Sequence, residues 1–229
     1  MIHLFALLSL LLCGVCYTGF QNSSHFHNTS NRRSLLLLVF GGALLLRLLL
    51  AYTTHGFSND IACFAAWADR IFTLGPGQFY SAEMFTDYPP GFMYVLYLIG
   101  ALRSLLQIPY YSDLHILLLK LPAILCDIAC GFLLYREAVK RLHFSDLQGI
   151  FAASAYLFQP AVILNSSCWG QVDSVYTLMI ILMCLFLMKG NLLPAYAVYG
   201  LGVLLKPQML IFTPVLLAGI WDCLLYTSP

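Results

Sequence analysis

Charged residues are scarce in this 229-residue chain: Asp, Glu, Lys and Arg make up only 9% of it, and 61% is hydrophobic. Soluble domains carry charged side chains at about 25% of their positions, so the composition excludes a water-soluble fold. No basic stripe is present and the net charge is only +1, so we expect no nucleic-acid partner. The length leaves room for several membrane spans of about 20 residues each, but not for a separate soluble domain.

The cysteines lack neighbours that suit a metal ion. Eight are present, mostly inside apolar runs, and the closely spaced ones have no histidine or acidic company suited to a metal ion. We therefore expect them to act as small packing residues. Cys63 and Cys168 either stay free or form a disulfide if both face an oxidising compartment.

Apolar runs are what the chain has in abundance. Residues 3–19 are either a first span or a weak signal anchor, and together with a polar linker they make up a segment over 1–33. Residues 34–229 are expected to form an all-α, polytopic transmembrane bundle with five or six spans. The apolar runs in this part cover residues 34–52, 91–107, 114–135, 147–165, 174–188, 191–205 and 208–225. A short amphipathic helix from Asp60 to Thr73 is expected to lie at the membrane interface.

Basic residues predict the orientation of these runs. Arg32-Arg33 and the cluster at 136–141 are cytoplasmic by the positive-inside rule. Asp60 and the segment from Trp169 to Ser174 then lie on the non-cytoplasmic side. This orientation places both ends of residues 91–107 on the non-cytoplasmic side, so this run cannot cross the membrane once on its own. It then forms an in-plane or re-entrant helix, unless one of the assumed crossings is wrong.

Three polar clusters lie beside apolar runs, where polar groups are costly unless they face water, a partner or a substrate. Asp60, in the first cluster, either caps the amphipathic helix or belongs to an active site. In the second, the two prolines give a rigid turn with Pro at the first helical position, which is compatible with a polar cavity there. In the third, capping by Asp173 or Ser174 explains one residue but not the whole cluster. The clusters are Ser58-Asn59-Asp60, Asp87-Tyr88-Pro89-Pro90-Gly91 and Trp169-Gly170-Gln171-Val172-Asp173-Ser174.

Charged residues inside or at the ends of the apolar runs call for partners. Arg47 either has a structural role, paired with an internal anion or snorkelling to the interface, or binds a substrate anion. Asp127 lies seven residues after Lys120, close to one helical side, so the two predict an internal polar network. Lys206 is expected at the outer boundary, where a lysine meets phosphate at the headgroup level or simply snorkels.

The order of these polar residues resembles that of a known family: bacterial integral-membrane glycosyltransferases related to the second mannosyltransferase of GPI-anchor synthesis, within the GT-C class. The resemblance covers about residues 34–215. Two departures stand out, since Gln159-Pro160 replaces a more usual Asn-Pro and the chain stops before the family's later spans, which indicates a C-terminally truncated sequence. The matching residues are Arg47, Ser58-Asn59-Asp60, Phe79-Tyr80, Asp87-Tyr88-Pro89-Pro90-Gly91, Lys120-Leu121-Pro122, Asp127, Gln159-Pro160-Ala161, Trp169-Gly170-Gln171-Val172-Asp173-Ser174 and Lys206-Pro207-Gln208.

The resemblance implies an enzyme that transfers a sugar from a polyprenyl-phosphate donor. Only the resemblance indicates that this sugar is mannose. The acceptor is an unidentified lipid, glycan or protein on the non-cytoplasmic face of a bacterial cell membrane or of the endoplasmic reticulum. Asp60 would be the catalytic base. Lys206 and Arg47 would hold the lipid phosphate. Gln171 would bind sugar hydroxyls, and Asp173 would either bind them too or share the acidic role. A divalent metal is left open, although no cluster of residues demands one. The expected substrate-binding residues are Arg47, Asp87, Tyr88, Gln171, Asp173, Lys206 and Gln208.

Two other functions compete with this one. In a transporter or flippase, intramembrane Asp, Lys and Arg would form an ion or proton relay, and internal repeats would favour that function, but the chain shows no clear repeat. A non-catalytic subunit of a glycosyltransferase is the second alternative.

The topology predicts that positions 60, 173 and 206 all face the non-cytoplasmic side. Single cysteines placed there in a cysteine-free background should react with a membrane-impermeant maleimide added to that side of sealed membranes. Labelling of any one of them only after the cytoplasmic side is exposed would contradict the hypothesis that all three residues belong to one site on the non-cytoplasmic face.

Overall fold

The computed structural model describes residues 2–23, 32–81 and 85–226. These ranges contain helices and turns but no strand, so the all-α prediction is confirmed for the described part of the chain. Most of the predicted polar linker before residue 34 lies outside the described residues. The helices are α1 (Ile2–Ser23), α2 (Arg32–Thr53), α3 (Ser58–Leu74), α4 (Pro90–Leu105), α5 (Asp113–Lys140), α6 (Asp146–Leu157), α7 (Pro160–Ile163), α8 (Asp173–Leu187), α9 (Leu192–Leu205) and α10 (Thr213–Tyr226).

Two described helices, α2 and α5, are long and apolar enough to cross a membrane. A third span results if α6 and the stretch Pro160–Trp169, which meet at a bend of 51°, are counted as one. Helices α4, α8 and α9 have 16, 15 and 14 residues, fewer than the roughly 20 that a span needs. The predicted count of five or six spans is therefore not confirmed.

Helix α2 has the surface of a lipid-facing helix. Four leucines on it are more than half exposed: Leu37, Leu38, Leu45 and Leu49. Its buried positions are the small residues Ala43 and Ala51 and the charged Arg47. Leucine on the outside with alanine and a charge on the inside suits a helix that packs in a bilayer.

The described chain divides into two compact units. Unit 1 comprises Met1–Ser58 and Lys120–Ser174, and unit 2 comprises Asn59–Leu119 and Val175–Pro229. Helix α5 passes from unit 2 into unit 1 at Lys120, and α8 passes from unit 1 into unit 2 at Val175.

Unit 1 packs α6 against α1 and α2. Helix α6 begins with a capping box: Ser145 Oγ accepts from the Gln148 N–H at 3.2 Å, and the Ser145 N–H donates to Gln148 Oε1 at 3.0 Å. This reciprocal pair satisfies two N–H groups that the first turn would otherwise leave without partners. Ala153 and Leu157 of α6 then pack with Ala43 in an apolar core.

An ion pair lies at the polar centre of unit 1. Arg47 Nε donates to Asp127 Oδ2 at 3.1 Å, and neither side chain has any exposed area. Arg47 also donates to the Leu157 carbonyl at 2.7 Å. Asp127 further accepts hydrogen bonds from Ser166, at 2.6 Å, and from Ser174. Asp127 thus lies in an internal polar network, as expected, but its charged partner is Arg47 on α2 and not Lys120, which bonds elsewhere.

Unit 2 depends on two glycines of α4 that allow close helix contacts. A side chain on Gly100 would come within 2.5 Å of the Ala68 carbonyl on α3, and one on Gly91 within 2.6 Å of the Leu204 carbonyl on α9. Both distances are shorter than any ordinary carbon contact, so α4 lies against the backbones of α3 and α9. Farther along, Met183 and Ala195 pack with Met209 in a second core.

The buried ion pair predicts a large asymmetry between single and double substitutions. Asp127→Ala strands the Arg47 guanidinium and should lower the free energy of unfolding by about 3–5 kcal/mol. Replacing both partners by apolar residues, Arg47→Met with Asp127→Leu, should restore much of this loss. Thermal unfolding of the purified protein in detergent measures both.

Asp146→Asn is the matched control, because Asp146 pairs with Arg32 at 3.1 Å while the two side chains are 27% and 51% exposed. Such a pair contributes about 1 kcal/mol or less. Equal losses for Asp127→Ala and Asp146→Asn would contradict the central role of the buried pair.

Candidate functional site

Asp60 lies in the first turn of α3 in unit 2. The helix begins at Ser58, two residues before the predicted start, so Asp60 is inside the helix and not at its capping position. A carboxylate in the first turn is stabilised by the helix dipole. The residue is half-buried. The next turns bury Phe64 and Trp67, which fix the face that α3 turns inward.

The turn that precedes α4 holds Tyr88 in an aromatic cluster. Pro90 starts the helix at its first position, as predicted. The Tyr88 ring centroid lies 5.5 Å from that of Phe64, 5.8 Å from Trp67 and 5.3 Å from Phe92. The Tyr80 hydroxyl donates to the Tyr88 carbonyl at 3.1 Å. Rings at these distances attract one another beyond the area they bury, so the turn is held firmly against α3.

Lys206 places its ammonium group between two aromatic rings of unit 2. Its Nζ lies 5.8 Å from the centroid of Tyr88 and 5.6 Å from that of Tyr176. The residue joins α9 to a 3-10 helix over Pro207–Phe212 and is extended, with φ −153° and ψ 123°, as the following proline requires. Because Gly91 lets α4 touch the backbone of α9 at Leu204, Lys206 is brought to Tyr88.

Cys63 shows that Asp60 and Asp87 lie in the same neighbourhood. Burial raises the pKa of the Cys63 thiol, and the negative charges of Asp87 and Asp60 raise it further. A carboxylate disfavours a thiolate in this way only when it is close. Asp60 and Asp87 thus both act on Cys63 in α3. Tyr88, the residue after Asp87, packs on Phe64 of the same helix and contacts Lys206 through its ring.

In unit 1, the segment before α8 forms a tight polar turn. Leu164–Trp169 is a π-helical turn, a form that often marks functional sites. The Asn165 carbonyl accepts from both the Gly170 and Gln171 N–H groups, at 3.1 and 2.9 Å. Gly170 is left-handed, with φ 87°, which favours glycine. The Asn165 side chain donates to Asp173 Oδ2 at 2.8 Å.

Lys120 supports this turn from α5. Its ammonium donates to the carbonyls of Ala51, Thr54 and Ser167 at 3.2, 2.7 and 2.9 Å, and to the Thr54 hydroxyl at 3.0 Å. The side chain has no exposed area. These bonds join the end of α2 to the π-helical turn, so Lys120 acts within unit 1 as a cross-link between two loops.

The predicted site residues fall into two groups. Asp60, Asp87, Tyr88 and Lys206 are grouped in unit 2, and Gln208 is an exposed residue of the same unit. Arg47, Gln171 and Asp173 belong to unit 1, where Arg47 is taken up by Asp127 and lies apart from solvent. Sequence reasoning missed Tyr176, since an aromatic residue inside an apolar run carries no distinguishing signal.

No group of three His, Cys, Asp or Glu side chains suited to a metal occurs in the described ranges. Cys63 and Cys168, the pair for which a disulfide was considered, are both free thiols.

Comparisons of the chain with protein-family models, with curated proteins and with solved structures found no match.

The charges near Cys63 predict a change in its reactivity. Asp87→Asn or Asp60→Asn removes a negative charge that disfavours the thiolate, so each should lower the pKa of Cys63 and speed its alkylation at a fixed mildly alkaline pH. The rate of iodoacetamide labelling of Cys63 against pH, followed by mass spectrometry, measures this shift.

Asp113→Asn, at the exposed start of α5, is the control and should leave the rate unchanged. An unchanged rate in both Asp60→Asn and Asp87→Asn would mean that the two carboxylates do not share a neighbourhood with Cys63.

Proposed function

We propose that this protein is a membrane glycosyltransferase that moves a sugar from a polyprenyl phosphate to an acceptor hydroxyl at the membrane surface. The observation that supports it most is the contact of the Lys206 ammonium with Tyr88 in unit 2, where Tyr88 follows Asp87 in the chain and packs on α3, the helix that carries Asp60. This is the pair of charges that such a transfer needs: a base for the acceptor proton and a cation for the leaving phosphate.

The reaction is a single displacement with inversion. The acceptor oxygen forms a bond to the anomeric carbon while its proton passes to the Asp60 carboxylate. The bond from that carbon to the phosphate oxygen breaks, and the electron pair leaves with the phosphate. Phosphate leaves without strong acid help, so one base and one cation are sufficient, and no protein nucleophile is required.

Lys206 is proposed to bind the phosphate of the donor. The two tyrosine rings hold this ammonium in position by cation–π attraction, at 5.8 and 5.6 Å from their centroids. Developing negative charge on the leaving phosphate would strengthen its attraction to this cation, which lowers the barrier and not only the dissociation constant.

Asp87, Tyr88 and Gln208 of unit 2 are proposed to line the donor site. A role of Gln171 and Asp173 in binding sugar hydroxyls stays an expectation of the family resemblance. Arg47 is left out of the substrate-binding set, since Asp127 and two backbone carbonyls already occupy its guanidinium. Mannose as the sugar rests on the family resemblance alone.

The transporter alternative draws less support from the structure. A relay of protons or ions needs intramembrane charges that exchange partners, whereas Arg47, Asp127 and Lys120 each have several fixed hydrogen bonds inside unit 1. These contacts suit a static scaffold better than a conduction path.

Transfer is tested with membranes that contain the full-length gene product and radiolabelled polyprenyl-phosphate-mannose. Label should appear in a lipid, glycan or protein acceptor. Asp60→Asn should reduce the rate by at least about a hundredfold, as expected for the loss of a general base. Lys206→Met should reduce it by roughly ten- to a hundredfold through the lost charge on the phosphate.

Two exposed residues provide matched controls: Asp113→Asn for the acid and Lys189→Met for the lysine. Both should retain the activity of the unmodified protein. Unchanged labelling in Asp60→Asn would remove the catalytic-base assignment, and absence of any transfer with active donor would reject the proposed function.

A further inference from the structure

The exposed aromatic pair of unit 1, Phe57 and Trp169, has no role in the chemistry described above. We propose that this pair is a stacking platform for a pyranose ring of a saccharide ligand. The inference deepens the proposed function, on which its reaction context rests, by assigning a sugar-binding surface outside the charged cluster of unit 2.

The two rings are presented together by the loop contacts of unit 1. Their centroids are 5.3 Å apart and their planes are inclined by 36°. The Phe57 N–H donates to the Trp169 carbonyl at 2.9 Å, so backbone as well as ring contacts fix the pair. Nevertheless Trp169 is 50% exposed and Phe57 45% exposed. A pre-ordered pair that leaves about half of its surface open is suited to a flat ligand, because little side-chain freedom is lost on binding.

Polar groups follow the platform closely in the chain. Gln171 and Asp173 lie two and four residues after Trp169, so their α-carbons are at most about 14 Å from it even in an extended chain. The left-handed Gly170 and the two N–H bonds to the Asn165 carbonyl keep this stretch compact. An aromatic face with an amide and a carboxylate beside it matches a sugar, whose C–H face is apolar and whose hydroxyls need acceptors and donors.

Exposed aromatic residues in a membrane protein also serve as interfacial anchors. An anchor needs only the rings, and a carboxylate a few residues away would weaken it, because Asp is costly near the hydrocarbon. The bond with Asn165 ties Asp173 to the π-helical turn that contains Trp169. This contact favours a saccharide over lipid as the occupant.

The test uses the full chain in lipid nanodiscs, with fluorinated tryptophan incorporated and observed by fluorine NMR. The Trp169 resonance is assigned by its loss in Trp169→Phe, and the resonance of Trp67, which is 2% exposed in unit 2, is the internal control. Methyl α-mannopyranoside and methyl α-glucopyranoside, the probes, should shift the Trp169 resonance saturably and leave that of Trp67 in place. Phe57→Leu should raise the half-saturating concentration roughly tenfold, and Asp173→Asn should raise it as well.

Phe132→Leu is the matched control, since Phe132 is a 51% exposed phenylalanine of unit 1 that stacks on Phe40; it should not change the titration. If spin-labelled lipid broadens the Trp169 resonance and neither sugar shifts it, the pair is a membrane anchor and the inference fails. An equal shift in Phe57→Leu also overturns it. The titration uses no polyprenyl-phosphate donor and requires no catalytic turnover. Sugar binding without transferase activity therefore rejects only the proposed function. Transferase activity without a shift of the Trp169 resonance rejects only the stacking platform.

Discussion

The ion pair between Arg47 and Asp127 is the constraint on which the rest of unit 1 depends. An apolar chain cannot leave either charge alone in its interior, because the cost of an unpaired buried ion is several kcal/mol. Asp127 meets this requirement with Arg47 on α2, and its remaining acceptor capacity is taken by Ser166, Ser174 and Tyr156. Because two of these residues flank the Trp169–Asp173 turn, the pair that satisfies the interior charge also fixes the position of the polar loop.

The sequence could predict what is decided locally. Helices α2, α3 and α5 begin and end within about five residues of the predicted bounds because apolar periodicity, basic flanks and Pro-Gly breaks mark their ends. The proline at the start of α4 was predictable for the same reason. The partner of Arg47 could not be predicted, because Asp127 lies 80 residues away in the chain. In addition, an internal carboxylate and a substrate phosphate explain a buried arginine equally well.

The contacts around Lys206 were also beyond reach of the sequence. They depend on Gly91, because a residue without a side chain lets α4 touch the Leu204 carbonyl and so brings Tyr88 beside Lys206. In the sequence Gly91 is simply the residue after two prolines, and a turn explains it fully. The physical cause of the grouping is a backbone approach between two helices that are more than 80 residues apart, and no local pattern records such an approach.

The charged residues divide by depth in a way that bears on function. Arg47, Lys120 and Asp127 are fully buried and tie helices and loops together, whereas Asp60, Asp173 and Lys206 are half-buried and lie where helices begin or end. The proposed enzyme would use the half-buried groups, since functional residues are often presented at the ends of rigid elements. A charge relay would instead place exchangeable groups along the interior of the helices, whereas Arg47 and Asp127 are paired with each other and Lys120 is bonded to carbonyls inside unit 1. Within unit 1, the buried charges stabilise the turn that carries the half-buried Asp173, because Lys120 bonds to Ser167 and Asp127 bonds to Ser166 and Ser174 on either side of it.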